Sequence, residues 1–173
     1  NIGICEPAMV NVAAGLSKSG LIPIVHTIAP FLIERSYEQI KLDFGYQKLP
    51  VNLVSVGSSY DYSKLGCSHH CYSDFALMSQ FENCNILYPG SAIEFDLLFK
   101  KIYKKNNINY FRIPDTSHKK IFKKSQVSFG KAILVKKGIH LTIVCTVSSL
   151  DIILKISDYY KNKNISFDIV YLH

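Results

Sequence analysis

Apolar residues along the chain switch between two spacings, short unbroken runs and longer stretches with an apolar position every third or fourth residue. The runs Pro23–Thr27, Val51–Val56, Asn85–Tyr88 and Asn109–Ile113 predict strands. Between them, helical spacing predicts helices over Met9–Lys18, Phe31–Phe44, Ser73–Gln80 and Ala92–Lys105, with a polar loop from Gly57 to Ser68. A second series follows: a strand over Leu141–Thr146, a helix over Ser149–Tyr160 and a strand over Phe167–Leu172. Strands that alternate with helices imply an α/β fold, a parallel sheet flanked by helices on both faces. The second series reads as the opening of a further α/β domain. Ligands of such sheets bind in the loops beyond the carboxyl ends of the strands. Attention therefore falls on the loops 28–31 and 57–70.

The expected organisation is a first domain over residues 1–118, a basic linker over 119–127, and the truncated beginning of a second domain over 128–173. The chain starts abruptly at Asn1-Ile2-Gly3, as if inside a longer one, and stops on a strand. With 48% hydrophobic and 19% charged residues it has the balance of a core-forming protein rather than a disordered one. No apolar run has the length of a membrane span, and no signal peptide opens the sequence.

Charge and cysteine content alter this picture little. The net charge of +7 comes largely from lysines at 100–105 and 119–124. These are read as a solvated helix end and a basic linker rather than a nucleic-acid surface, because no nucleic-acid motif accompanies them. Cys67 and Cys71 flank His69 and His70, but no second ligand pair is spaced for zinc. Reduced thiols in a cytoplasmic protein account for the five cysteines more simply.

Several segments carry chemistry in a fixed order. Gly3-Ile4-Cys5-Glu6-Pro7-Ala8-Met9 leads into a small-residue helix with Ala14-Gly15-Leu16. Phe31-Leu32-Ile33-Glu34-Arg35 is followed by Gln39-Ile40. Gly66-Cys67-Ser68-His69-His70, Tyr88-Pro89 with Glu94, and Tyr110-Phe111-Arg112 complete the series. Together they resemble the pyrimidine-binding domain of the thiamine-diphosphate-dependent transketolase family, in particular the C-terminal subunit of its split members. The resemblance implies a transferase that moves a two-carbon ketol unit between sugars, within a specialised sugar pathway. Deoxyxylulose-phosphate synthases and β-type 2-oxoacid dehydrogenase subunits are the alternatives within the same chemistry. The three residues between Phe31 and Arg35 disfavour the first, and the histidine motif disfavours the second. A catalytically silent structural subunit is a further alternative, against which Glu6 argues.

The resemblance also implies roles. Glu6 corresponds to the glutamate that hydrogen-bonds N1′ of the cofactor's aminopyrimidine, so that the 4′ nitrogen can take the C2 proton. Without the resemblance, Glu6-Pro7 is an ordinary helix start, with proline in the first turn. Phe31 corresponds to an aromatic that packs on the pyrimidine; Ile28 replaces a second aromatic, and Ile4 supports the bent cofactor from below. His69 corresponds to a histidine facing the reacting carbon, and His70 to a neighbouring polar position. Arg35 and Gln39 are expected to organise the helix and the subunit interface. Thiamine diphosphate and Mg²⁺ would be held through a diphosphate-binding domain or subunit, whose G-D-G…N pattern does not occur here. A homodimer or heterotetramer follows, and the chain alone would be inactive.

The substrate end departs from the resemblance. Sugar-phosphate members carry a phosphate-binding histidine twelve positions before His69, where this chain has Gly57. They carry an arginine three positions after Arg112, where this chain has Asp115. Leu65 stands in place of an acidic residue that reads sugar hydroxyls. His69, His70, Leu65 and Asp115 are the expected substrate-contacting residues, and the changes oppose a terminal phosphate.

Overall fold

The computed structural model describes residues 1–173. They form two compact units: residues 1–87 with 102–115, and residues 88–101 with 116–173.

In the first unit, α1 (Glu6–Lys18) begins three residues earlier than the apolar spacing predicts, because Pro7 in the first turn has no N–H to leave unpaired. Its buried face is narrow and small: Val10, Ala13, Ala14 and Ser17. Gly20, at φ +86°, takes the left-handed conformation that ends the helix. Strands β1 (Ile24–Ile28), β2 (Val51–Val56), β3 (Cys84–Leu87) and β4 (Ile108–Ile113) form a parallel sheet in the order β1-β2-β4-β3. The central strands β2 and β4 are buried over five of their six residues. Their unbroken apolar runs made them legible, since a strand covered on both faces does not alternate. Within the unit, Val10, Leu32, Ile33, Ile40, Phe44, Leu53 and Met78 make one core with Ile108 and Tyr110. Each large side chain buried there contributes about 1.5–3 kcal/mol.

Polar residues inside this sheet pin its register. Asn52, Asn109 and Asn85 lie side by side on β2, β4 and β3. Asn85 donates to Asn109 Oδ1 at 2.8 Å, and Asn109 donates to Asn52 Oδ1 at 3.1 Å. A one-residue slip would leave these buried amides unpaired, which makes the alignment strongly specified.

The segment predicted as one helix over Phe31–Phe44 opens into wide turns at Pro30–Glu34 and Ile40–Tyr46, on either side of the single turn α2 (Tyr37–Gln39). Arg35 N–H reaches back five residues to the Pro30 carbonyl, at 3.0 Å. Buried Ser36 explains the break: its hydroxyl donates to the Phe31 carbonyl at 3.1 Å and competes with the backbone ladder.

A second polar network holds the far end of the sheet. Arg112 Nε lies 3.0 Å from Asp74 Oδ2 on α3 (Asp74–Met78), and both side chains are buried. Tyr110 donates to the same carboxylate oxygen at 2.7 Å and contacts Ser55 Oγ at 2.9 Å. Arg112 also donates to Ser59 Oγ (2.8 Å) and to the Cys71 carbonyl (3.2 Å). Ser59 and Cys71 form an isolated antiparallel bridge that closes the base of the 57–71 loop.

The second unit holds α4 (Ala92–Ile102) up to Lys101, a mixed sheet and α5 (Val147–Lys161). Strand β6 (Leu141–Cys145) runs parallel to β7 (Phe167–Tyr171), as the βαβ reading expects. The sequence reading missed β5 (Ile133–Lys136), which pairs antiparallel with β7 across a register irregularity. Its four residues carry too weak a pattern to stand out. The 119–127 stretch forms no regular element, yet Phe122 is buried and stacks on Tyr171 with ring centroids 5.2 Å apart. His118 is buried too, with Nε2 2.9 Å from Glu94 Oε1. Glu94 also accepts from Tyr171 (2.7 Å), Ser91 Oγ (2.8 Å) and Gly90 N–H (3.1 Å).

Two outcomes follow from these buried groups. Asp74→Ala strands the Arg112 charge and is expected to cost about 3–5 kcal/mol in urea unfolding, whereas the double change Asp74→Leu/Arg112→Leu costs less than either single one. Glu94 titrates below its ordinary value of 4.5: burial pushes it up, but hydrogen bonds from His118, Tyr171, Ser91 and Gly90 outweigh that. A lowered carboxylate stabilises the fold above 4.5 and loses this contribution as pH falls through the lowered value. Melting curves through the acid range should therefore drop less steeply for Glu94→Gln than for the unaltered protein.

Candidate active site

The predicted site residues all lie in the first unit, around the carboxyl ends of its strands and the start of α1. Glu6 is the first residue of α1 and is 7% exposed. A carboxylate there gains from the helix's unpaired N–H groups. One of its oxygens, Oε2, accepts from Arg35 Nη1 at 2.9 Å; Oε1 has no partner in the chain. Glu6 also lines a cleft of about 520 Å³ with Ile2, Met9, Val25 and Thr27.

Arg35 follows the first wide turn, and its guanidinium lies 4.1 Å from the centre of the Phe31 ring, over the ring face. Such a cation on an aromatic face is worth about 0.5–1 kcal/mol where water reaches it. Phe31 also meets His69 in a T-shaped contact, with centroids 5.2 Å apart and planes at 71°. Glu6, Arg35, Phe31 and His69 thus form one continuous row of contacts. Sequence reasoning placed three of the four in the site and assigned Arg35 to the helix and an interface. The available signal was spacing: Arg35 stands four residues after Phe31, the separation that brings helical side chains together.

His69 ends a short turn, Cys67–His69, and its Nδ1 lies 3.1 Å from Ser68 Oγ. His70 turns the other way, its ring edge-on to Tyr60 at 5.0 Å, and Tyr60 stacks on Tyr72. This histidine loop is closed at its base by Arg112 and the Ser59–Cys71 bridge, so the position of His69 traces back to the buried Asp74–Arg112 pair. The hydroxyl of Ser73 donates to Glu34 and ties the end of the loop to the Phe31 segment.

The remaining expected residues are dispersed. Ile28 ends the edge strand β1 and is half-buried. Ile4 is 92% exposed and Leu65 is exposed as well, so neither touches the row. The backbone N–H of Asp115 donates to Asp61 Oδ2 at 3.0 Å, at the ends of β2 and β4. Arg112 and His118, two side chains that could have served a phosphate, are buried against Asp74 and Glu94. All five cysteines are free, and no three His, Cys, Asp or Glu side chains converge as metal ligands. Burial pushes the Cys71 thiol far above its ordinary value, with the Asp74 and Glu34 charges adding to it. That removes it as a nucleophile.

Comparison with known proteins agrees with this geometry. The family described as the transketolase pyrimidine-binding domain matches residues 1–119. A 33.6 kDa protein of the fasciation locus of Rhodococcoides fascians is 43% identical over 103 residues, 59% of this chain and 33% of that protein. One of the subunits of the apulose-4-phosphate transketolase of Phocaeicola vulgatus is 31% identical over 144 residues, 82% of this chain and 46% of that one. Among solved structures, a split-gene transketolase described as an inactive beta4 tetramer superimposes with a TM-score of 0.85 at 27% identity, over 99% of this chain and 55% of that one. The chain thus spans about half or less of the length of these relatives. The expected fold, a parallel sheet flanked by helices and followed by the start of a second α/β domain, is the one observed. With the match covering the whole first unit and the row from Glu6 to His69, the chain belongs to the transketolase pyrimidine-binding domain family.

Proposed function

We propose that this chain supplies the pyrimidine-binding half of the active site of a thiamine-diphosphate-dependent transketolase, acting with a diphosphate-binding domain or subunit that also holds Mg²⁺. The observation that carries the reading is the row Glu6–Arg35–Phe31–His69, in which a buried carboxylate with one free oxygen stands at a helix start near an aromatic ring and a histidine.

The residues fit the pyrimidine end of the cofactor. When bound, the cofactor would supply, once its C2 proton has been removed, a carbon nucleophile for a ketose carbonyl. Glu6 Oε1 is available to share a proton with a ring nitrogen, while Arg35 fixes the other oxygen and sets the plane of the carboxylate. Phe31 would pack its ring on a flat heterocycle. His69, in contact with Phe31, would move or hold a proton on a sugar oxygen.

The reaction class is ketol transfer between sugars in a specialised pathway, in a homodimer or heterotetramer located in the cytoplasm. The relative named for apulose 4-phosphate supports a sugar outside the common pentose and hexose phosphates. No helix of the chain is long and apolar enough to cross a membrane.

Glu6→Ala in the complete assembly is expected to slow proton–deuterium exchange at the cofactor C2 by about 10²- to 10⁴-fold, the usual contribution of a positioned acid–base group. Near-normal exchange in that variant would remove Glu6 from the chemistry and favour a silent structural subunit. Calorimetry on the isolated 173-residue chain should show no Mg²⁺-dependent thiamine diphosphate binding. Tight binding by a verified monomer would contradict the two-component site.

A further inference from the structure

The segment 30–36 reaches both ends of the site through two neighbouring side chains. The N–H of Arg35 passes over the Phe31 carbonyl, its partner in a regular helix, and donates to the Pro30 carbonyl at 3.0 Å. The Phe31 carbonyl accepts instead from the hydroxyl of Ser36, at 3.1 Å, and Ser36 is fully buried. Ser36 leaves helical geometry, with φ −106° and ψ 17°, before α2 resumes at Tyr37. Wide turns of this kind are rare inside helices and recur at functional sites. Glu34, the last residue of the turn, accepts the hydroxyl of Ser73 at the end of the histidine loop. The Ser59–Cys71 bridge closes the base of that loop, so His69 lies between two tied points. Arg35, the next residue, bonds to Glu6 at 2.9 Å and lies 4.1 Å from the centre of the Phe31 ring. It is the only cation paired with Glu6, whose buried charge would be costly without a partner.

We infer that the turn 30–36 is the positioning element of this site, in which Arg35 acts through Glu6 and Glu34 acts through the loop that carries His69. Neither residue has to touch a ligand to do so. Arg35 supplies the counter-charge of the carboxylate and fixes one of its oxygens, while its flat guanidinium rests on Phe31. Glu34 holds the far end of the histidine loop. Both side chains start from one backbone turn, and the buried hydroxyl of Ser36 keeps that turn open, so Ser36 governs the two together. The inference deepens the transketolase reading and rests on it: Arg35 serves the proton removal assigned to Glu6, and Glu34 serves the sugar step assigned to His69.

The test takes two readouts on the complete assembly. One is proton–deuterium exchange at C2 with Mg²⁺ and thiamine diphosphate bound. The other, without cofactor, is the rate at which diethyl pyrocarbonate modifies His69, followed by mass spectrometry. Arg35→Gln should slow exchange by about tenfold or more, the worth of one charge-assisted hydrogen bond. Arg35→Lys should recover only part of that, because an ammonium has no planar fork. Glu34→Ala should speed modification of His69 severalfold and slow exchange less than Arg35→Gln does. Glu34→Gln keeps an acceptor oxygen and should return His69 to its original rate. Ser36→Ala should move both readouts. Ser17→Ala is the matched control: it removes a hydroxyl bond to the Pro50 carbonyl, at 2.8 Å in the same unit, and should move neither. Normal exchange in Arg35→Gln overturns the inference, as does a Glu34→Ala assembly in which His69 reacts at its original rate. So do equal shifts in the Ser36 and Ser17 variants, which would mark a merely structural role. Glu6→Ala separates the two layers. Lost exchange there with normal exchange in Arg35→Gln refutes the inference alone, while near-normal exchange in Glu6→Ala refutes the reading of Glu6 and the inference with it.

Discussion

The buried charge pair between Asp74 and Arg112 is the constraint on which the site depends. Two ions taken out of water cost several kcal/mol each unless the geometry returns it. Here the return is spread over Tyr110, Ser59, the Cys71 carbonyl and the ring of Phe75, which lies 4.5 Å beneath the guanidinium. Those partners come from a central strand, a short helix and both arms of a long loop. None can move without stranding a charge, so a five-residue helix and a loop with little regular structure acquire fixed positions. His69 then stands where the loop's closed base puts it. The same pair holds the Arg112 guanidinium buried at the base of the loop.

A similar division of labour marks the other cation of the site. Arg35 is partly exposed, and it touches both the carboxylate and the aromatic ring. Its bond to Glu6 occupies one carboxylate oxygen, and its guanidinium lies over one face of Phe31. Arginine suits this task better than lysine, because its flat fork holds a carboxylate and stacks on a ring at once. The carboxylate is thus held at one orientation before any ligand arrives, which lowers the cost of ordering it later.

Much of this was legible in the sequence, for identifiable reasons. Strands β2 and β4 announce themselves as unbroken apolar runs because both their faces are covered, and α1 and α5 because their apolar spacing persists over several turns. Glu6, Phe31 and His69 stood out through the order of short motifs. What escaped depends on contacts between residues far apart in sequence. The opening of the 30–46 helix comes from one serine hydroxyl turned inward, and serine in a helix carries no signal of which way it points. Buried Phe122 and His118 sit in a lysine-rich stretch whose composition says loop, and composition cannot report two side chains folding back. Strand β5 is recognisable only by its partner β7.

Buried scaffold and exposed rim differ in what a substitution costs. The asparagine row on β2, β4 and β3 and the Asp74–Arg112 network are buried, so each change there leaves a polar group without a partner. The family resemblance is carried by the short motifs around Glu6, Phe31, Arg35, His69, Glu94 and Arg112. Leu65 and Asp115, by contrast, lie exposed on loops beyond the strand ends. Asp61 shows how the turn after β2 closes: one carboxylate oxygen takes three hydrogen bonds and holds two strand exits at a fixed spacing, whatever the neighbouring side chains present to solvent.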